Sequence, residues 1–255
     1  MRWIGFILVI FQISCAVDEL PSCNGVGIEG EICKEYQYVF EKYNGVNEYE
    51  YDMNTGLLLK ITTKGNNGSI EGVTNYTYNI QGLISSLFLE DSKGQLISEK
   101  DILYTDLGSI KSEIVSGGKI KTEHNYYYED GLVRLEVFSS DGQVQWIDSI
   151  EYFSETNELY RRLRYVDDNL LQITYYEAFV NNVIEERLIN NNGVTESKKV
   201  TLFNDENQKI EELMYSKDNI LLNKVKYFYQ DMKVDRIEKY NEFGEEFEEL
   251  NYQRF

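Results

Sequence analysis

The chain has 255 residues, of which 44 are acidic and 25 are basic, and its formal net charge at pH 7 is −19. An acidic surface repels phosphate, so nucleic acid and anionic membrane surfaces are not expected as partners. Tyrosine (21) and phenylalanine (12) are abundant and proline occurs once, a composition typical of β-strands whose faces are half wet.

The first sixteen residues are predicted to be an export signal. Arg2 precedes the apolar segment Trp3–Ile13, which is too short to span a bilayer as a mature helix. Two processing routes fit the residues that follow. Small side chains at Ser14 and Ala16 suit ordinary cleavage after Ala16. Alternatively, cleavage before Cys15 and acylation of its thiol would produce a lipoprotein, and the brevity of the signal favours this route.

Export also determines how the remaining cysteines are interpreted. Cys23 and Cys33 enclose a short Gly-rich loop, and an even number of thiols in an oxidising compartment predicts a disulfide. Two thiols with no nearby histidine do not complete a zinc site. We therefore expect a Cys23–Cys33 disulfide, and a protein of the outer membrane or cell surface that contacts the membrane only through a lipid at Cys15. A soluble secreted or periplasmic protein is the alternative.

Residues 17–48 are predicted to be a linker and an N-terminal cap. The segment Tyr36–Glu50 alternates like a strand and contains Asn44-Gly45, a dipeptide typical of hairpin turns. Terminal units of repeat arrays are commonly atypical. The regular array is expected to occupy residues 49–255, with residues 251–255 resembling the first strand of a further unit that stops short.

Turn-forming residues recur through the array with a period of about 25 residues, which indicates stacked repeats. Glycine reaches positive φ without steric cost, and asparagine tolerates it best among the other residues. Because equivalent turn positions carry either glycine or asparagine, a left-handed backbone is predicted at each turn. The first turns of the units fall at Gly56, Gly82, Gly108, Gly131, Asn157, Asn182, Asn207 and near Met232. The second turns fall at Gly68, Gly94, Gly118, Gly142, Asn169, Gly193, Asn219 and Gly244.

The spacing between turns leaves room for one strand of ordinary length. Each unit is therefore predicted to be a β-hairpin, and the fold to be all-β: an extended or spiralling antiparallel sheet of about eight hairpin repeats. Basic doublets such as Arg161-Arg162 and Lys198-Lys199 are interpreted as solvated partners of acidic side chains on neighbouring strands.

The repeats resemble the tyrosine–aspartate (YD, or Rhs-type) repeats of bacterial surface proteins. In that motif Tyr and Asp are followed after two residues by Gly, then by a variable residue that is often Arg, and then by Leu. The segment Tyr78–Ile84 fits with Asn79 in place of Asp, Tyr51–Leu58 fits with one inserted residue, and Tyr128–Val133 fits with one deletion. From Tyr152 onward only the spacing persists. A second family of similar period, the MORN-like repeats of some toxin-neutralising proteins, favours a Gly-x-Trp/Tyr pattern that differs from these turns.

In the YD family, long arrays spiral into a shell around a toxin. This chain has too few repeats for such a shell, so the resemblance implies an open array like that of the short repeat-bearing lipoproteins of some Gram-negative bacteria.

Candidate catalytic and metal-binding residues are few. His124 is the only histidine and lies in a repeat strand, where a surface strand residue is favoured over a member of a Ser-His-Asp or Cys-His site. The acidic run Glu245, Glu246, Glu248 and Glu249 with Glu242 allows a weak Ca²⁺ site, but a charged edge strand that blocks aggregation is preferred. No catalytic, cofactor or metal residue is predicted.

The sequence therefore predicts a non-enzymatic exported repeat protein whose Tyr-rich sheet binds a protein or a glycan. Two alternatives remain open. The acidic charge and the repeats also suit a protein that neutralises a basic toxin, and the density of carboxylates suits an enzyme acting on extracellular polysaccharide.

Overall fold

The chain folds into a closed antiparallel barrel of 18 strands. The computed structural model describes residues 28–179 and 183–254. Each strand pairs with its neighbours in sequence and β1 also pairs with β18, so every strand has two partners. The strands are β1 (Ile32–Val39), β2 (Lys42–Tyr51), β3 (Leu58–Gly65), β4 (Ile70–Tyr78), β5 (Ile84–Asp91), β6 (Leu96–Tyr104), β7 (Ile110–Gly117), β8 (Ile120–Glu129), β9 (Leu132–Ser140), β10 (Gln143–Tyr152), β11 (Leu159–Val166), β12 (Asn169–Phe179), β13 (Val183–Asn190), β14 (Thr195–Phe203), β15 (Lys209–Ser216), β16 (Leu221–Gln230), β17 (Lys233–Tyr240) and β18 (Glu246–Arg254).

The closed barrel shows that the prediction of an extended or spiralling open sheet was wrong. The seam that closes the barrel is the antiparallel pairing of β1 with β18, in which Glu35 lies opposite Tyr252. Residues 251–254 complete β18 and do not begin a further unit. Closure is favourable because it gives the outer backbone groups of both terminal strands a hydrogen-bond partner. The expectation that the acidic run lies on an edge strand was therefore wrong, because β18 has a partner on both sides.

The first hairpin of the barrel also differs from its predicted form. The strand β2 runs through Asn44-Gly45, and the chain reverses instead at Phe40 and Glu41, both of which have positive φ. The pairing of Gly45 with Gly65 on β3 explains the glycine there, because a Cβ on Gly45 would lie 2.5 Å from the carbonyl oxygen of Lys64. This glycine serves close strand packing, and the sequence pattern alone could not distinguish that from a turn.

The left-handed turns of the array are confirmed at most of the predicted positions. Asn157, Asn207, Asn219 and Met232 have φ between 56° and 64°. At Asn169 the prediction was wrong by a residue or two, since the reversal uses Asp167 and Asp168. Asn182 lies outside the described residues. The predicted glycines with positive φ are Gly56, Gly68, Gly82, Gly94, Gly108, Gly118, Gly131, Gly142, Gly193 and Gly244.

A side-chain oxygen at the first position of a turn organises many of these reversals. Asn79 Oδ1 accepts hydrogen bonds from the amides of Gln81 at 2.9 Å and Leu83 at 3.0 Å, while the amide of Gly82 donates to the carbonyl of Asn79. The side chain thereby satisfies amides that the turn leaves outside the ladder. The same pattern recurs at Asp91, Asn190, Asn204 and Asn241. This is the physical role of the Asp or Asn in the repeat motif.

The tyrosine of the motif has an equally local role, which we call the tyrosine clasp. Where β4 meets β5 the register shifts, so that Tyr78 pairs with Ile84 and Ser85 is skipped. Such a bulge leaves a carbonyl outside the ladder. The hydroxyl of Tyr104, one repeat further on, donates to the carbonyl of Ile84 at 2.7 Å. Each clasp therefore ties the end of one hairpin to the beginning of the strand beside it.

Five tyrosine clasps are present in the described residues, and a sixth position uses arginine. Arg254 Nη2 donates to the carbonyl of Val234 at 2.6 Å. At the end of β14 the position equivalent to the clasp tyrosine is occupied by Phe203. No bulge is present there to be clasped, because β12 and β13 pair without a register shift. The clasps join Tyr78 to Leu58, Tyr104 to Ile84, Tyr128 to Ile110, Tyr152 to Val133 and Tyr229 to Lys209.

The barrel has two different rims. The near rim carries the turns after even-numbered strands and the point where the described chain begins, because Gly30 accepts hydrogen bonds from Lys233 and Arg254. The far rim carries the nine turns after odd-numbered strands. Every one of these nine turns has an exposed apolar side chain in it or within the first three residues of the strand that follows. These side chains are Phe40, Ile70, Leu96, Ile120, Val144, Leu171, Val194, Ile220 and Phe243.

The barrel has very little packed core. Among the described residues the buried apolar side chains are only Cys33, Tyr36, Ile102, Ile150 and Leu163. Those residues also include no helix with the length and apolar character needed to cross a bilayer. Backbone ladders and clasps therefore contribute a larger share of the stability than they would in a compact domain.

We expect Tyr104→Phe to lower the free energy of unfolding by about 1 kcal/mol, because the carbonyl of Ile84 loses its partner while the ring is kept. Urea denaturation measures the change. Tyr127→Phe is the matched control, since Tyr127 is exposed and forms no clasp, and it should change stability by less than about 0.5 kcal/mol. Equal losses in the two variants would contradict a stabilising role for the clasp.

Candidate functional site: a polar belt on the inner face

Strand register shows which side chains share a face of the sheet. In the antiparallel ladder directly opposed residues point to the same side. Glu136 lies opposite Asp148, Asp148 opposite Arg164, and Arg164 opposite Gln172. Further round the barrel, Tyr176 lies opposite Glu186, and Glu186 opposite Lys199. Charged and hydroxyl groups thus follow one another along a single face.

We assign this face to the inside of the barrel because side chains two strands apart meet on it. Arg162 on β11 reaches Glu136 on β9 with a distance of 3.2 Å from Nη2 to Oε1. The rings of His124 on β8 and Trp146 on β10 are 5.2 Å apart. Side chains converge on the concave side of a curved sheet and diverge on the convex side. Burial, followed by charges that include Glu35 and Tyr252, raises the pKa of Tyr49 on the same face.

The centre of the belt is a pair of carboxylates held by two arginines. Asp148 is completely buried and accepts two hydrogen bonds of 2.8 Å from Nε and Nη2 of Arg164. Arg162 lies between the acids, with Nη1 3.4 Å from Asp148 Oδ2 and Nη2 3.2 Å from Glu136 Oε1. Bidentate pairing of this kind compensates the cost of burying a carboxylate. The guanidinium of Arg164 also lies over the ring of Trp146 at 4.1 Å.

His124 links this pair to a second acidic group. Its Nε2 lies 3.2 Å from Glu136 Oε2 without hydrogen-bond geometry, and its Nδ1 lies 3.0 Å from the hydroxyl of Tyr126. Tyr126 in turn donates to Glu113 Oε2 at 2.8 Å, and Lys100 forms an ion pair with Glu113. Burial opposes ionisation of Glu113, but hydrogen bonds from Lys100 and Tyr126 outweigh it and lower its pKa. His124 is therefore an inner-face residue and not a surface one.

A second cluster lies on the other side of the arginines. Lys199 on β14 is 3.3 Å from Glu186 on β13 and 3.1 Å from Glu212 on β15. Tyr227 donates to Glu212 Oε2. Burial raises the pKa of Glu212, yet hydrogen bonds from Tyr227 and Lys199 outweigh it, so the net shift is downward. We call the two clusters together the inner polar belt: Lys100, Glu113, His124, Tyr126, Glu136, Asp148, Arg162, Arg164, Tyr176, Glu186, Lys199, Glu212 and Tyr227.

A concavity separates the two clusters. It has a volume of about 270 Å³ and lies above strands β11 to β15. Its lining combines hydrogen-bond donors and acceptors with a few apolar groups: Arg162, Arg164, Gln172, Thr174, Tyr176, Glu186, Leu188, Ser197, Lys199 and Met214. Because about half of its wall is polar and it is open to solvent, it can take a hydrophilic ligand that keeps part of its hydration.

The other predicted site residues are not brought together with the belt. Cys33 is buried and disulfide-bonded, while Cys15 and Cys23 lie outside the described residues, so the pairing with Cys23 and acylation of Cys15 stay predictions. Of the acidic run, Glu246 and Glu249 lie within 4.8 Å of Glu238 on β17.

The partners of Glu238 explain this acidic group without a metal ion. Tyr240 donates to Glu238 Oε2, and Arg236 Nη2 lies 3.1 Å from its Oε1. The side chain is thus already engaged by neutral and cationic donors, and the group forms part of the hydrogen-bonded outer face. The weak Ca²⁺ site considered from the sequence gains no support from these contacts.

Sequence reasoning missed the belt because it treated basic doublets as surface features. Alternation places the two members of each doublet on opposite faces. Arg161 forms a bidentate ion pair with Glu151 outside the barrel, whereas Arg162 faces inward. Lys198 similarly lies 3.9 Å from Glu185, and Lys199 belongs to the belt. The signal that could have revealed the belt is the spacing Arg162-x-Arg164, which puts two cations on one face.

Comparisons with known proteins give only distant structural similarities. No family model and no curated protein matches the chain. A porin-like protein from Bacteroides uniformis aligns with a TM-score of 0.49 and 10% identity over 92% of this chain and 100% of that one. A porin-like protein from Bacteroides vulgatus aligns with a TM-score of 0.42 and 11% identity over 88% and 98%. The complex TcdB2-TccC3-Cdc42 aligns with a TM-score of 0.36 and 11% identity over 84% of this chain and 16% of that one.

We expect Arg164→Leu to lower the free energy of unfolding by roughly 2–4 kcal/mol, because Asp148 is left buried with a weakened partner set. Adding Asp148→Leu in the same chain should restore at least half of that loss, since no buried charge then remains uncompensated. Arg161→Leu is the control and should cost about 1 kcal/mol or less, because its ion pair is partly exposed to solvent. A double variant as unstable as Arg164→Leu alone would contradict this account of the pair.

Proposed function

We propose that the protein is a non-catalytic binding barrel whose inner polar belt takes a hydrophilic ligand, with a glycan favoured over a protein segment. The observation that carries the proposal is the concavity between the two clusters of the belt. Its lining offers hydroxyl, amide and guanidinium groups from five adjacent strands. Glycan hydroxyls are bound by such groups, with ordered water filling the imperfect contacts.

The ion pairs of the belt support binding in preference to acid–base catalysis. A general acid needs a proton to give and a general base needs a free lone pair near the reacting atom. Asp148 is engaged by Arg164 and Arg162, and Glu136 by Arg162. Carboxylates held in this way act as fixed acceptors that orient the arginines. The polysaccharide-hydrolase alternative gains no support from this geometry.

Charged side chains on both the inner and the outer face of the sheet support a barrel that is surrounded by water and not by lipid. Mid-strand charges occur inside at Glu136 and Lys199. Outside they occur at Arg187, Lys198 and Glu238. A lipid-facing strand surface carries an apolar band instead, and each charge placed at its centre costs about 2–4 kcal/mol. We infer that any membrane contact runs through the N-terminal segment, as an exported lipoprotein with acylated Cys15 would provide.

Mass spectrometry of the mature N-terminus tests the anchoring part of the proposal. We expect a mature chain that begins at a diacylated Cys15, in which case the protein partitions into detergent. A mature chain that begins with an unmodified Val17 would contradict lipid anchoring and would indicate a soluble exported protein. An intact Met1 in the exporting host would contradict export itself.

A glycan array probed with the labelled barrel tests the ligand. We expect binding to a restricted set of glycans, and a loss of at least tenfold in affinity for Ser197→Trp, which fills the concavity. Ser116→Trp is the matched control because Ser116 is exposed on the outer face, and it should bind like the unmodified protein. Absence of any glycan above background, or equal binding by both variants, would contradict a glycan site in the concavity.

A further inference from the structure

Two turns on the far rim are nearly identical in sequence. The β3–β4 turn, residues 65–69, reads Gly-Asn-Asn-Gly-Ser, and the β13–β14 turn, residues 190–194, reads Asn-Asn-Asn-Gly-Val. In both turns the second-last residue is a glycine with positive φ. Its amide donates to the carbonyl of the first residue, at 2.9 Å for Gly68 and 3.0 Å for Gly193. The two turns therefore differ only in the side chains at their first and last positions.

The residue at the first position decides which oxygen the last amide of the turn binds. In the β13–β14 turn, Asn190 Oδ1 accepts a hydrogen bond from the amide of Val194 at 3.1 Å. Gly65 has no side chain, and in the β3–β4 turn the amide of Ser69 donates instead to Asn67 Oδ1 at 2.9 Å. The hydroxyl of Ser69 donates to the same oxygen at 2.6 Å. Two hydrogen bonds thus hold the carboxamide of Asn67 against the turn.

This arrangement favours attack on the Asn67 side chain by the amide nitrogen that follows it. Ser69 is two residues beyond Asn67, so its hydrogen bonds fold the carboxamide forward over the Gly68 peptide group. A Cβ on Gly68 would meet nothing within 4 Å, and without one its nitrogen is accessible. Holding the reacting atoms in one conformation removes part of the entropic cost of the step.

The two donors also stabilise the charge that the step develops. When the Gly68 nitrogen, after losing its proton to water, forms a bond to Asn67 Cγ, negative charge gathers on Oδ1. The hydrogen bonds from Ser69 strengthen as that charge grows, which is how an oxyanion hole lowers a barrier. The Cγ–Nδ2 bond then breaks, ammonia leaves with a proton taken from water, and a cyclic succinimide remains. Water opens the succinimide to aspartate or isoaspartate.

The influences that oppose the step are shared between the two turns or screened. The hydrogen bond from the Gly68 amide has to break, but Gly193 forms the same bond. The carboxylate of Glu71 lies near Gly65, where its Oε1 would be 2.3 Å from an added Cβ. Glu71 is exposed, so water and salt screen its repulsion of a charge on Asn67 Oδ1.

The third Asn-Gly pair among the described residues, Asn44-Gly45, has a different setting. Gly45 lies within β2 and is paired with Gln37 on β1 and with Gly65 on β3. Attack by its nitrogen on the Asn44 side chain would require this part of the ladder to open. Strand pairing therefore protects Asn44.

We propose that Asn67 is a site of self-catalysed deamidation that Ser69 promotes, and that it converts ahead of Asn192 and Asn44. The modification consumes only water. It places a new carboxylate on the far rim, and where isoaspartate forms it also lengthens the backbone of the turn. That change lies between Gly65 and Ser69, which the hydrogen bond from the Gly65 amide to the Ser69 carbonyl joins at 2.9 Å.

Peptide mapping by mass spectrometry, after incubation of the purified protein at neutral pH, measures the rate at each site. We expect Asn67 to convert at least about fivefold faster than Asn192 in the folded protein. In urea, where the turns are lost, the two rates should agree to within about twofold. Equal rates in the folded protein, or the same excess for Asn67 in urea, would overturn the proposal.

Exchanging the end residues of the two turns tests the role of the hydrogen bonds. Asn190→Gly/Val194→Ser should raise the rate at Asn192 to that of Asn67. Gly65→Asn/Ser69→Val should lower the rate at Asn67 to that of Asn192.

Circular dichroism verifies that both exchanged variants are folded. Asn44 in the same chains reports any general loosening of the barrel, because its conversion requires the ladder to open, and its rate should stay unchanged. Rates that stay with the position of the turn, and do not follow the exchanged residues, would overturn the proposal.

Discussion

Closure of the backbone hydrogen-bond ladder is the constraint on which this structure depends. With five buried apolar side chains among the described residues, hydrophobic burial supplies less stabilisation than in a compact domain of equal length. Each strand instead has a partner on both sides, and each clasped bulge has a side-chain donor for the carbonyl that the ladder leaves out. The repeated Tyr and Asp or Asn of the motif are thus backbone partners first, and any role in ligand binding is secondary.

Local features of the fold could be predicted from the sequence because they depend on single residues. Gly82 and Asn157 adopt positive φ as expected, since few other residues tolerate that conformation. Closure could not be predicted, because nothing in β1 or β18 considered alone says that Glu35 will lie opposite Tyr252. It is a property of the number of strands, their tilt and their twist, and these are collective quantities.

The candidate site shows the same division between local and collective information. Alternation along one strand places Arg162 and Arg164 on one face, which the sequence contains. That Glu136 on β9 reaches Arg162 on β11 follows from the curvature of the closed sheet. His124 shows this division. In the sequence it is a single histidine in a strand, whereas in the structure it lies between two acidic groups. The belt exists because curvature gathers side chains that a flat array would keep apart.

The seam between β1 and β18 has a consequence for how the polypeptide is threaded. The first and last strands are neighbours, and Gly30 accepts a hydrogen bond from Arg254 at 3.2 Å, so the two ends of the described chain sit side by side. In a closed barrel of eighteen strands, any strand could in principle be the first in the chain. The same barrel could be assembled from a circularly permuted gene, with the termini opened at another hairpin and the old ends joined by a few residues.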